Sequence, residues 1–172
     1  MPAYRVRKIA VQPLFFLWGV SKIEQHLERV AMSTVAKVQK KVQDILSSEF
    51  GSVRVSSDGS IKIPYESTMV NIEVEEWLNG QSIVVLTAVI ARDSKSNSAV
   101  YEWVNTQNAN LRMGTVYHLP SKTNNITVMS YALLGDFMDP DELTNALRVL
   151  VLMADKLDDE FVSLFGGERF VD

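Results

Sequence analysis

Cysteine is absent from this sequence of 172 residues. That excludes disulfides, thiolate metal sites, iron–sulfur clusters and cysteine nucleophiles. Histidine is nearly as scarce, with only His26 and His118, which leaves histidine catalysis and zinc chemistry little to work with. A general base needs an orienting partner and a substrate pocket, and the sequence points to neither. Glycine and proline together supply 13 residues, too few for a low-complexity or disordered chain. Neither the glycine-rich phosphate loop nor the dinucleotide fingerprint nor the nucleophile elbow occurs. Each of these works through a glycine-rich turn that the chain lacks. No stretch reaches the roughly 18 consecutive apolar residues of a membrane span. A non-enzymatic chain without a cofactor, a metal or a membrane span is expected.

What is present is apolar: 47% hydrophobic residues against 22% charged. A chain of this length forms one domain, large enough for a core without staples. Charge is unevenly spread, with a net +4 over residues 1–50 and −8 over residues 51–172. The acidic total argues against a phosphate backbone as partner, so no nucleic acid is expected. Lys37, Lys40 and Lys41 read as a solvated helix face. At the N-terminus, Arg5, Arg7 and Lys8 precede Leu14-Phe15-Phe16-Leu17-Trp18. This run is too short for a secretory apolar region, and no cleavage pattern follows it. The expected organisation is an arm or extension over residues 1–31 and a single α+β domain over residues 32–172. The arm is expected to pack Phe15, Phe16 and Trp18 onto the domain or a second subunit.

A helical stripe of Ile23, Leu27, Val30, Thr34, Val38, Val42 and Ile45 predicts one long helix. Ser21 is a candidate cap, Gly51 a stop, and Met32-Ser33-Thr34 a possible break. The period then changes to two. Val53 and Val55 lead to an Asp58-Gly59 turn, then Ile61, Ile63 and Tyr65, then Val70, Ile72 and Val74, and Asn79-Gly80 turns into Ser82–Ala91. Asn97–Arg112 predicts a second helix, followed by strands at Thr115–Leu119 and Ile126–Leu134. Asp139 and Pro140 open a final helix with the stripe Leu143, Leu147, Leu150, Ala154, Leu157, Phe161 and Leu164. The order is α-β-β-β-β-α-β-β-α, an antiparallel sheet flanked by helices. The acids of the Gly-Asp-Phe-Met-Asp-Pro-Asp-Glu run (Asp136, Asp139, Asp141, Glu142) read as capping rather than as a calcium loop.

Two strands are apolar on both sides: Ile83 to Ile90, broken only by Thr87, and Ile126 to Leu134. An antiparallel strand with one wet face alternates, so both faces of this sheet are expected to be covered. Helices cover one face; the arm, a second subunit or a client peptide would cover the other.

The element order, Asp58-Gly59, Val104-Asn105-Thr106-Gln107-Asn108, Gly114, the Tyr131–Leu134 strand end and the Leu143–Leu164 helix together resemble the class I type III secretion chaperone fold. They are similar also to the YbjN-like peptide-binding chaperones. The resemblance spans residues 34–167. It implies a cytoplasmic, dimeric, non-enzymatic domain that binds extended protein segments, with Asn105, Asn108 and Gly114 as structural motif residues. Candidate contacts to a protein or peptide client are Trp77, Val85, Val89, Trp103, Met129 and Tyr131, chosen for size and position. Two alternatives stand beside this reading. One is a homodimeric regulatory or assembly component whose apolar face stays buried, and the other is a small-ligand sensor.

Overall fold

The computed structural model describes residues 17–170, with side chains from residue 34 onward. The expected packing of Phe15, Phe16 and Trp18 lies outside the described residues. Helix α1 (Leu17–Phe50) is 34 residues long, about 50 Å at 1.5 Å per residue. It runs unbroken through Met32-Ser33-Thr34, where no glycine or proline interrupts the hydrogen-bond ladder. Ser21 therefore lies inside the helix instead of capping it, and the helix crosses the 31/32 boundary. Val38, Val42, Ile45 and Leu46 form its buried face.

A six-stranded antiparallel sheet follows, in the order β1-β2-β3-β4-β6-β5. Its strands are β1 (Arg54–Val55), β2 (Ile61–Tyr65), β3 (Thr68–Glu76), β4 (Ser82–Arg92), β5 (Thr115–Leu119) and β6 (Ile126–Leu134). The β1–β2 hairpin closes at Asp58-Gly59, where the Asp58 carboxylate accepts from Ser60 N at 3.0 Å and Ser60 Oγ at 2.8 Å. These bonds hold the Asp58 carboxyl below its ordinary value. Helix α2 (Ser98–Asn110) is capped by Asn97, whose side chain accepts from Val100 N at 3.2 Å. Helix α3 (Pro140–Phe165) is capped by Asp139, which accepts from Glu142 N at 2.7 Å.

All three helices lie on one face of the sheet. Ile61, Ile72, Leu86 and Tyr131 share that face through their cross-strand pairs, as do Val116, Met129 and Ala88. Onto it pack Val42 and Leu46 of α1, Val100 and Trp103 of α2, and Leu143, Leu147, Leu150 and Phe161 of α3. Each fully buried aliphatic side chain there stabilises the fold by about 1.5–3 kcal/mol.

Of the cover expected on the two sheet faces, the described residues supply the helices on one. Along β4, Ser82, Val84, Leu86, Ala88 and Ile90 are buried, whereas Ile83, Val85, Thr87 and Val89 are only half-buried. The strand alternates in burial although it does not alternate in hydropathy.

Candidate functional site

The second face of the sheet is read directly from the strand register. Ile83 lies opposite Leu134, Val85 opposite Ala132, and Thr87 opposite Ser130. On the other side of β4, Ile83 faces Glu75, Val85 faces Glu73, and Thr87 faces Asn71. No helix of the described residues packs on this surface. It is apolar across β4 and β6, with Tyr117 and Leu119 of β5 extending it, and it turns acidic on β3.

At one end the apolar character continues beyond the strands. Trp77 is 46% exposed, Leu78 66%, Leu134 49% and Phe137 70%. Ser82 ties the two segments carrying them together. Its N–H and hydroxyl both donate to Asp136 Oδ2, at 2.6 and 3.0 Å, and its carbonyl accepts from Gly135 N at 2.9 Å. Trp77 N donates to Gln81 O at 2.7 Å, closing the turn through a single 3-10 segment, Leu78–Gly80. Asp136, which reads from sequence as one more capping acid, instead pins the start of β4.

The six candidate contacts separate into three groups. Val85 and Val89 stand on the open face, and Trp77 is exposed at its end. Met129 is fully buried on the helix side, and Tyr131 points the same way, half-buried against the core. Trp103 is buried too, edge-on to Phe161 at 4.9 Å between ring centres, with its indole N–H donating to Glu160 Oε1 at 2.7 Å. Trp103 and Met129 thus belong to packing and present no surface to a partner.

Asn108 Nδ2 donates to Val116 O and Asn108 Oδ1 accepts from Val116 N, both at 2.8 Å. Asn105, on the exposed side of α2, makes no such bond. Gly114 has φ +78°, and a Cβ there would lie 2.8 Å from Met129 Cε and 3.1 Å from Ser130 O. Both the backbone conformation and the close approach therefore demand glycine.

Leu78 and Phe137 escaped the sequence reading, because a turn and a helix lead-in do not announce apolar exposure, whereas Leu134 closes a strand already read as apolar on both sides. The one available signal was a bulky apolar residue directly beside a turn or cap.

His118 is buried, with Nδ1 2.8 Å from Thr127 Oγ1 and Nε2 without a partner. Desolvation lowers its pKa. Among the described residues no cluster of His, Asp and Glu is arranged to hold a metal, and no helix is long and apolar enough to cross a membrane.

Residues 36–172 match the family model TY-Chap1, described as the type III secretion (YopN, CesT) and YbjN peptide-binding chaperone 1. Three solved structures share the fold. The chaperone–effector complex of HopA1 and SchA contains a chain 8% identical, with a TM-score of 0.54, covering 72% of this chain and 96% of that one. The ExsC–ExsE complex gives 12% identity and a TM-score of 0.55, covering 73% and 93%. YbjN from E. coli gives 12% identity and a TM-score of 0.52, with the same coverage. No curated protein matches the chain in sequence.

Proposed function

Because this chain belongs to the family of type III secretion and YbjN peptide-binding chaperones, we propose that it holds an extended segment of a client protein on the open face of its sheet. The supporting observation is the half-buried row Ile83, Val85 and Val89, flanked by Ala132 and Leu134 and ended by Trp77, Leu78 and Phe137. Burial of client side chains on these residues supplies the affinity, since apolar area removed from water is the main driving force of association. No chemistry on a substrate is required.

The geometry favours the face over the edges as the point of attachment. At the outer edge of β5 the Asn108 amide already occupies both backbone groups of Val116. A client strand adding there would have to displace it.

The test uses a displayed library of random dodecapeptides selected against the purified chain, then rebinding to Val85→Asp and Trp77→Ala. Both variants should keep the wild-type melting temperature within a few degrees. Binding should fall about tenfold or more for Val85→Asp, which places a charge where a client side chain is buried. Unchanged binding by both variants would move the site elsewhere. A large loss of stability in Trp77→Ala would assign that indole to the core.

A further inference from the structure

At the β1–β2 margin of the open face two cations stand side by side. Arg54 and Lys62 are direct cross-strand partners, both exposed. Like charges so placed disfavour the pairing of their strands. Among the described residues neither enters an ion pair. Asp58, the acid whose charge Lys62 feels, is committed to Ser60 N and Oγ. On the same face Glu73 and Glu75 lie farther along β3, opposite Val85 and Ile83.

The two cations flank a groove of about 850 Å³ that wraps this edge of the sheet, its apolar walls being Phe50, Val53, Val55 and Ile63 from the helix side and Pro64 and Met69 from the open-face side. It exists because β1 is only two residues long, leaving the outer edge of β2 bare beyond Lys62. That bare edge does not invite a strand. Ser60 O accepts from Ser56 N, so Ser60, and by alternation Lys62 and Pro64, direct their backbone groups outward from β3. Pro64 has no N–H to give there. An occupant of the groove is therefore held by its side chains.

We infer that this groove takes a client segment carrying a carboxylate next to large apolar side chains, with Arg54 and Lys62 as its anchor. The inference rests on the peptide-binding reading and adds the chemistry of the partner. The occupant so inferred is a segment of another protein: residues 1–23 of this chain contain Arg5, Arg7, Lys8 and Lys22 but no Asp or Glu, and do not match the two cations. Its own N-terminal stretch cannot supply the carboxylate. The carboxylate relieves the repulsion between the two cations, and the acids on β3 orient the segment by repelling its acidic end from the centre of the face.

The experiment selects random dodecapeptides on the full chain and, in parallel, on the double variant Arg54→Glu with Lys62→Glu, checked for folding by thermal melting. Wild type should enrich Asp or Glu beside Leu, Ile, Phe or Met. The variant should enrich Lys or Arg at those positions and bind the wild-type peptides about tenfold more weakly at low salt, a difference that shrinks as salt rises. Peptides selected without an acidic preference, or with the same preference on the variant, would overturn the anchor while leaving the peptide-binding reading intact. An empty selection would overturn both. Self-association abolished by the double variant would make a second copy the occupant and likewise overturn the inference. Should the double variant fail to fold, the neutral pair Arg54→Gln and Lys62→Gln carries the same comparison, with loss of acidic enrichment as the expected result.

Discussion

Two buried titratable side chains set the chemistry of the fold's interior. Asp158 on α3 is buried, with Oδ2 accepting from Ser67 Oγ at 2.6 Å and Oδ1 unpartnered. Burial raises its carboxyl above the ordinary value of 3.8, and the Ser67 bond only partly offsets this. His118 is shifted the other way, below 6.5, again by burial. The signs follow from proton counting. Above pH 3.8 the folded chain retains the Asp158 proton that the unfolded chain has released, so stability from this group falls as pH rises through its folded value. Below pH 6.5 the unfolded chain takes up a proton that folded His118 refuses, so stability falls as pH drops through the folded value.

Between those two reference values the two contributions change with pH in opposite senses. Denaturant midpoints measured across that range should show Asp158→Asn gaining on the wild type as pH rises, and His118→Asn gaining as it falls. Parallel curves for all three proteins would refute the assignment.

Asn108 acts between residue and element. Its amide fills the outer backbone positions of Val116 as a neighbouring strand would. Asn108→Ala should cost about 1–3 kcal/mol, the usual penalty for leaving buried backbone groups unpaired. It should also raise light scattering by opening the β5 edge. Urea melts and scattering against concentration read the two effects separately.

At the scale of elements, turn and cap chemistry was legible and face assignment was not. Asp58-Gly59 and the Asp139-Pro140 start sit where local hydrogen bonding puts them, because those bonds join residues within a few positions. The burial of β4 was hidden, because Ile83, Val85 and Val89 are as apolar as their buried neighbours. Hydropathy therefore carries no period to read. The continuity of α1 was underestimated for a related reason: Ser and Thr weaken a helix slightly, and only Gly or Pro would have ended it.

At the scale of the whole molecule, the helices cover one side of the sheet, and no other element of the described residues covers the second. A permanent homodimer through the open face is the competing use of the same surface. It predicts a melting temperature that climbs with protein concentration and a dimeric mass that Val85→Asp disrupts. A monomer over a hundredfold concentration range, with peptide binding intact, would reserve the face for clients.

Composition and periodicity by themselves determined the α+β class, the order of elements, the capped helices and the poverty of catalytic groups, since each depends on residue type or short-range spacing. Only the tertiary structure decided which apolar residues stay exposed. Trp103 and Trp77 are chemically identical, yet one closes an aromatic cluster beneath α2 and the other stands at the rim of the sheet. That difference is set by strand register and helix placement, which bring together residues far apart in the chain. No local property of either tryptophan encodes it.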